Sequence, residues 1–246
     1  MATHGSQEAR MPVQMGGHWL LQREQPRRRV DPYDVVERAH ALVHAGGAAS
    51  LTMRPLAASL GTSTSALYRL VPSRDWLLVA IVDLVFSEVD TTVGVGKARP
   101  RLRLERLSRS LRDVLSAHPH IHEVLASHVA VTPNTVRLAE VALGCLHDAG
   151  IKESDLVDAY NAWIGYVVGF TAIEMKPPGL APEPELRKAM RTELASLDPA
   201  HFPIVTSLPS HVVTRTYGLA WKPEPLGEAR SSFDWGLRVL LDGIAL

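Results

Sequence analysis

The chain has 246 residues, of which 46% are hydrophobic and 21% are charged, and its formal net charge is zero. This balance excludes an overall electrostatic bias toward nucleic acid or an anionic membrane. The single cysteine, Cys145, excludes a disulfide within one chain and a cluster of cysteine metal ligands. The charge is uneven, however: residues up to Asp75 hold nine arginines and six acids, a net of +3 (9 − 6). We therefore expect an anionic partner to bind this part of the chain.

The first thirty residues contain no apolar run long enough for a signal peptide. The most apolar stretch, Ala162 to Ile173, is shorter than the roughly twenty residues that a membrane-spanning helix needs. A single cysteine is also typical of a reducing compartment. The sequence therefore predicts a cytoplasmic protein with no membrane partner.

Residues 1–30 are polar and lack hydrophobic periodicity, so we predict a disordered arm that ends in a basic run. Order is predicted to begin at Asp31, a residue suited to cap a helix, followed by Pro32 at the first helical position. Apolar residues then recur at helical spacing until Gly46 and Gly47 end the helix.

Nearly every later segment also has helical periodicity. The predicted helices are, in order, Thr52–Leu60, a segment capped by Thr62 or Ser63 that extends to Leu70, a longer helix from Pro72-Ser73, Leu102–Ala117, Pro119–Ser127, Pro133–Ala149, Ser154–Lys176, Glu183–Leu197, a short helix near Val205–Tyr217, and a last helix capped by Ser231 or Ser232. Gly61 separates the first two, and Gly94 and Gly96 predict a linker. No run of strands and no repeat is evident, so the predicted fold class is all-α.

Two short helices joined by a glycine turn are typical of a helix-turn-helix unit, whose second helix enters the DNA major groove. The second predicted helix, Thr62 to Leu70, is mostly polar, and Leu67 is the residue that would anchor it on Leu56, Ala57 and Leu60. A polar reading helix suits contacts to base edges and phosphates. The pattern alone leaves a surface helical hairpin open as an alternative.

The sequence LTMRPLAASLGTSTSALY, from Leu51 to Tyr68, followed by SRDWLL, from Ser73 to Leu78, resembles the N-terminal domain of the tetracycline-repressor (TetR) family. The C-terminal sequence FDWGLRVLLDG, from Phe233 to Gly243, is also similar to the end of its tetracycline-repressor-type members. After the predicted disordered arm over residues 1–30, the resemblance implies a three-helix DNA-binding domain over 31–75 and a larger helical effector-binding and dimerisation domain over 76–246. It implies a homodimer that binds a palindromic DNA operator as a repressor and is released by a small-molecule effector.

The same resemblance implies which residues face DNA. Arg54 is expected to bind a guanine, small side chains at 64–66 to read bases, and Tyr68 to contact phosphate or a base edge. Arg74 stands where the family usually has lysine and is expected to hold a phosphate, whereas Leu70 and Val71 replace the family's usual histidine and phenylalanine. The predicted DNA-contacting set is Thr52, Arg54, Thr62, Thr64, Ser65, Ala66, Tyr68, Arg69 and Arg74, with Arg27, Arg28 and Arg29 as a minor-groove or phosphate arm.

The long predicted helix from Ser154 supplies the expected dimer interface, together with the last helix, as a four-helix bundle. Gly165 and Gly169 lie one turn apart there and would allow another helix to approach; packing against the subunit's own core is the alternative. Large side chains with a few polar groups predict an effector pocket. Its candidates are His128, Tyr160, Asn161, Trp163, Tyr166, Phe170, Glu174 and Trp221.

Histidines at 118, 120 and 122 flank Pro119, but a helix starting at that proline would spread them over different faces, so we predict no metal and no cofactor. No glycine-rich phosphate loop, HExxH sequence or serine-nucleophile elbow is present, which argues against an enzyme. An activator, or a regulator controlled by a protein partner, remains the alternative function.

Overall fold

The computed structural model describes residues 30–174, 183–208 and 232–244. Every regular element in these ranges is helical, which confirms the all-α prediction. The α-helices are α1 (Pro32–Gly46), α2 (Met53–Ser59), α3 (Thr64–Tyr68), α4 (Arg74–Phe86), α5 (Pro100–Ala117), α6 (Ile121–Ser127), α7 (Pro133–Asp148), α8 (Glu153–Glu174), α9 (Glu183–Ala195), α10 (Pro203–Ser207) and α11 (Ser232–Gly243). Short 3₁₀ turns occur at Ala48–Ser50 and Thr91–Gly94.

The predicted start and end of α1 are confirmed by its capping contacts. Asp31 accepts a hydrogen bond from the N–H of Tyr33, while the Asp34 carboxylate accepts one from the N–H of Asp31. These two contacts satisfy amides that have no partner within the helix. At the other end Gly47 adopts a φ of 76°, which directs the chain out of the helix.

Contacts between Cα atoms divide the chain into two compact units. The first comprises Met1–Val89 and Glu123–Glu140, and its described core is built from helices α1 to α4. Val35, Leu56, Leu67, Leu77 and Ile81 are fully buried there. The domain boundary predicted after residue 75 falls inside this unit, because α4 packs against α1.

The second unit comprises Asp90–His122 and Val141–Leu246, with α5, α8 and α11 packed together. Gly94, predicted to lie in a linker, is buried in a 3₁₀ turn that packs on α5. Its carbonyl accepts hydrogen bonds from Arg103 Nη1 at 3.3 Å and from the Cys145 thiol at 3.2 Å. Burial raises the pKa of that thiol.

Several predicted helix boundaries differ from the observed ones. The helix predicted from Pro119 begins at Ile121 instead, since the N–H of Ile121 is bonded to the carbonyl of His118 in a turn that precedes the helix. Helix α3 ends at Tyr68, before Leu70. The helix expected near Val205–Tyr217 is observed over Pro203–Ser207, and residues 209–231 lie outside the described ranges.

Helix α8 has 22 residues, more than the apolar stretch 162–173 suggested, and by length and composition it would suffice to cross a membrane. The core helix of a globular protein meets the same criteria. Trp163, Val167 and Thr171 of α8 are buried, and the helix packs against α5 and α11. Of its most apolar 18-residue window 17% is buried, so most of α8 is not covered by the described residues.

Candidate nucleic-acid interface and effector region

The turn between α2 and α3 depends on Gly61. Its φ is +63°, a left-handed conformation that residues with a Cβ rarely adopt. The N–H of Gly61 is bonded to the carbonyl of Ala58, and that of Thr62 to the carbonyl of Ala57, so the end of α2 is closed by backbone hydrogen bonds. The chain is thereby redirected into α3 within a few residues.

Helix α3 has one buried side and one exposed side. The Ser63 hydroxyl oxygen accepts a hydrogen bond of 3.1 Å from the N–H of Ala66 and caps the helix, as one of the two predicted caps. Leu67 is fully buried, whereas Tyr68 is 50% exposed. Thr62, Thr64 and Ala66 are half-buried, and Ser65 and Arg69 are exposed. The predicted reading side of α3 is therefore open to solvent within the described chain.

The start of α2, which precedes α3 in the chain, also carries exposed polar side chains. Thr52 occupies the N-cap position, but its side chain makes no capping hydrogen bond. Thr52 and Arg54 are both exposed, and no ion pair of Arg54 occurs among the described residues. Both polar side chains are available for the DNA contacts that remain predicted for them.

Arg74 has a contact that the sequence did not predict. Its Nε donates to the carbonyl of Leu51 at 2.8 Å, and its Nη2 donates to the carbonyl of Ala48 at 2.7 Å. The guanidinium thus supports the 3₁₀ turn that precedes α2. Nη1 lies 3.7 Å from the Asp75 carboxylate, and the side chain is 38% exposed. Binding of a DNA phosphate by Nη1 of Arg74, which takes part in neither of these hydrogen bonds, stays a prediction.

The same turn is held from α6. The Glu123 carboxylate accepts a hydrogen bond of 3.2 Å from the N–H of Ala48, whose carbonyl binds Arg74. The Ser50 hydroxyl donates to the carbonyl of Leu42 in α1 or to that of Gly47, each at 2.7 Å. The 3₁₀ turn before α2 is therefore held both through a backbone N–H, which donates to Glu123, and through backbone carbonyls, which accept from Arg74.

Seven of the eight predicted effector residues are described, and Trp221 lies outside the described ranges, as do Arg27, Arg28 and Arg29. His128 belongs to the first unit, where its Nε2 lies 3.7 Å from Asp75 and its Nδ1 lies 2.9 Å from the Ser127 hydroxyl. The other six lie on α8 in the second unit. The structure does not place His128 and the α8 residues in one compact unit.

Several α8 candidates already have polar partners. The Trp163 indole N–H donates to the Ser108 hydroxyl at 2.8 Å, and Trp163 is fully buried. Glu174 forms a two-point ion pair with Arg112, with both N–O distances at 2.8 Å. Phe170 packs against the rings of Tyr166 and Phe233. Their contribution to an effector pocket stays a prediction, and Asn161 is exposed.

The two tyrosines of α8 are affected by burial. Burial, with a smaller effect from the Glu174 charge, raises the pKa of Tyr166 to about 12. Burial also raises the pKa of Tyr160, whose ring lies 5.9 Å from that of Trp163. Both phenols are therefore neutral hydrogen-bonding groups near neutral pH.

Sequence reasoning missed the arginines of α5 as partners of α11. Arg101 binds Asp242 at 2.6 Å, Arg109 binds Asp234 at 2.9 Å, and the Arg112 guanidinium lies 4.8 Å from the centre of the Phe233 ring. Arg101 and Arg109 are eight residues apart, and so are Asp234 and Asp242. Because the first arginine pairs with the second aspartate, the two helices are antiparallel. That equal spacing is the signal in the sequence that would have indicated the pairing.

A known family profile, described as Tetracyclin repressor-like, C-terminal domain, matches residues 99–246, more than half of the chain. The chain belongs to the TetR family. It is thus a TetR-family transcriptional regulator, and the relatives found are regulators, not enzymes.

Three similar proteins illustrate this membership. The HTH-type transcriptional repressor DrrR1 of Streptomyces coeruleorubidus is 27% identical over 216 residues, covering 85% of this chain and 75% of DrrR1. ActR of Streptomyces coelicolor in complex with actinorhodin has a TM-score of 0.69 and 23% identity, covering 90% of this chain and 98% of ActR. BioQ with its double-stranded DNA operator has a TM-score of 0.59 and 23% identity, covering 88% and 98% of the two chains. At these identities the two solved structures show the shared fold.

Proposed function

We propose that this TetR-family chain is a repressor that binds a palindromic operator as a homodimer and is released by a small-molecule effector. The observation that most strongly supports DNA binding by α3 is that this helix has one buried and one exposed side. Leu67 is fully buried, and neighbouring Tyr68 is half exposed. Exposed Arg54 and Arg69 supply positive charge at the same two helices for contacts to the phosphate backbone. BioQ, with the same fold, has been solved with its operator.

The proposed dimer is supported by apolar side chains exposed on α8 and α11, two helices that pack against each other. Val157 and Ile173 of α8 are about 60% exposed, and Trp235 and Val239 of α11 are at least half exposed. A Cβ added at Gly165 or Gly169 would meet no described atom within 4 Å, so both glycines face open space there. A second copy covering these helices would remove apolar surface from water and form the four-helix bundle.

The proposed effector response is supported by the polar contacts along α8. Trp163, Tyr166 and Glu174 are bonded to α5 or α11, so a ligand that competes for those bonds would alter the packing of the proposed dimer helices. ActR has been solved with actinorhodin, a small-molecule complex on the same fold. The ligand would release DNA by favouring a distance between the α2–α3 helix pairs of the two subunits that does not match the spacing of the operator half-sites.

The test is selection of duplexes from a random library by the wild-type protein, followed by sequencing and by gel shifts with a panel of small molecules. We expect an inverted repeat with half-sites about 34–36 Å apart, or a multiple of that distance. Sedimentation should show two protein chains per duplex. A selected site without two-fold symmetry, or a complex with one chain, would rule out the proposed homodimer, and a panel without any releasing compound would favour control by a protein partner.

The dimer helices can be tested separately. Val239→Arg on α11 should give a monomer in sedimentation, because a charge would be buried in the proposed interface. Val95→Arg is the matched control, since Val95 is 62% exposed and lies outside both helices. A Val239→Arg protein that sediments as the wild type does would exclude α11 from the interface.

A further inference from the structure

Helix α4 carries one buried acidic side chain, Asp83, three residues before its last residue, Phe86. Asp83 is 3% exposed and lies among Ile81, Val82 and Val85, which are completely buried. A carboxylate in such surroundings is costly unless hydrogen-bond donors compensate for its lost water. Asp83 therefore has to be explained by its partner.

The partner is Asn134, in the first turn of α7. Its backbone N–H donates to Asp83 Oδ1 at 2.9 Å, and its side-chain Nδ2 donates to the backbone carbonyl of Asp83 at 3.1 Å. Amides in the first turn of a helix have no partner within that helix, and a negative charge is favourable at this end. Two hydrogen bonds to one residue fix both the distance and the rotation of the two helices at this point.

The turn that leads into α7 is itself ordered. The N–H of Thr132 donates to the Thr135 hydroxyl oxygen at 2.9 Å, and that hydroxyl lies 2.9 Å from the carbonyl oxygen of Ala130, to which it donates. Thr132 is buried. Asn134 therefore follows a turn that is held by its own hydrogen bonds. Its contact restricts the position of α4 more than a contact from a flexible loop would.

Asp83 and the reading helices lie toward opposite ends of α4. Arg74, nine residues earlier and so about 14 Å along the helix axis, supports the turn at Ala48 and Leu51 that precedes α2. The first residue of α4 also follows directly from the turn after α3. A rigid shift of α4 would therefore move Arg74 and change how α2 and α3 are presented.

We propose that Asp83 and Asn134 are positioning residues that hold α4, and through it α2 and α3, in the geometry that fits the operator. They touch no DNA themselves. This inference rests on the proposed function, because it assigns to the pair a share of the specific DNA affinity of the reading helices.

The test compares Asn134→Asp, Asp83→Asn and the reciprocal exchange that combines them. Asn134→Asp removes the amide that donates to the carbonyl of Asp83 and adds a second carboxylate to the contact, whereas in the exchange the amide at position 83 can still accept from the N–H of residue 134 and a single carboxylate remains. Val136→Asp is the matched control, since it adds the same charge to the same turn of α7 at a side chain that is 53% exposed. The probe is a duplex selected by the wild-type protein from a random library, with an unrelated duplex as reference.

We expect Asn134→Asp to weaken binding of the selected duplex about tenfold, and the exchange to restore it to within about threefold of wild type. Affinity for the unrelated duplex, the salt dependence and the Val136→Asp protein should be unchanged, because the number of phosphate contacts is the same. Thermal unfolding of each variant is recorded so that binding is measured on folded protein. A merely stabilising pair would lower the melting temperature and leave the affinity of folded protein unaltered.

The inference is overturned if folded Asn134→Asp binds the selected duplex as tightly as wild type, or if both duplexes lose affinity equally. If Asn134→Asp does not fold, Asp83→Asn decides, because it replaces the charged acceptor of the Asn134 N–H with a neutral one: a loss of affinity confined to the selected duplex supports the inference, and wild-type binding contradicts it. Failure of the wild type to enrich any duplex would instead contradict the proposed function, and this inference with it.

Discussion

The Tyr166 hydroxyl on α8 donates a hydrogen bond of 2.8 Å to the backbone carbonyl of Phe233, in the first turn of α11. This contact is made beside Gly236, where an added Cβ would overlap the Tyr166 hydroxyl. The absence of a side chain at 236 therefore permits α8 and α11 to pack in this register. The two helices are those proposed to form the dimer.

Gly236→Ala should destabilise the protein, although alanine is ordinarily the better helix former. We expect a loss of about 1–3 kcal/mol in the free energy of unfolding, because Tyr166 must move and gives up its bond to Phe233. Gly243→Ala, where a Cβ meets no described atom within 4 Å, should be neutral or stabilising by up to about 1 kcal/mol. Urea unfolding of both variants distinguishes them, and equal stability would show that the close approach at Gly236 does not constrain the packing.

Arg74→Ala should lower the free energy of unfolding by about 1–2 kcal/mol, since two backbone carbonyls lose a charged donor at a partly exposed site. Arg74→Lys keeps the charge but cannot reach both carbonyls at once, so it should recover part of this loss. Arg106→Ala removes an exposed arginine of α5 and serves as the control in the same urea titration. A lysine variant as unstable as the alanine variant would mean that charge contributes nothing at this site.

Stability should fall on acidification because of His122. Both ring nitrogens are buried without a partner in the described part of the chain, and burial lowers the pKa of this imidazole below 6.5. Above pH 6.5 the ring is neutral in folded and unfolded chains. Below it the unfolded chain binds a proton first, so the free energy of unfolding falls, by up to about 1.4 kcal/mol per pH unit, until the folded pKa is reached.

His122→Leu should remove that contribution to the slope, because the replacement does not titrate and leaves no unpaired polar atom. His147→Gln, at a side chain that is 67% exposed, should leave the slope in place. The measurement is the free energy of unfolding in urea at several pH values between 7 and 5. An unchanged slope in His122→Leu would assign the acid sensitivity to other groups.

Most helices and several of their ends could be predicted from the sequence because they depend on neighbouring residues. Asp31 and Ser63 each accept a capping hydrogen bond that the sequence predicted, Ser63 as one of two candidates. Gly61 has the positive φ that ends α2. The burial of Leu67 beside exposed Tyr68 follows in the same way from helical spacing.

Contacts between distant residues could not be predicted in this way. Asp83 and Asn134 are 51 residues apart, and Arg112 and Glu174 are 62 apart. Which faces of two helices meet depends on the packing of the whole unit, which helical spacing does not determine. For the same reason the sequence assigned Arg74 to phosphate without its bonds to Ala48 and Leu51, and proposed Trp163 as an effector contact without its bond to Ser108.

DNA reading by α2 and α3 is tested most directly by Tyr68→Ala and Arg54→Ala on the duplex selected by the wild-type protein. Both side chains are exposed, so both variants should keep the melting temperature of the wild type. Arg106→Ala, an exposed arginine on α5, controls for the loss of one positive charge.

Anisotropy titrations at several salt concentrations give the affinity and its salt slope. We predict that Tyr68→Ala and Arg54→Ala each lose at least about tenfold in affinity for the selected duplex, while Arg106→Ala binds as the wild type does. If Arg54 binds a base and not a phosphate, its variant should also keep the wild-type salt slope. Unchanged affinity of folded Tyr68→Ala and Arg54→Ala would contradict the assignment of α2 and α3 as the DNA-reading helices.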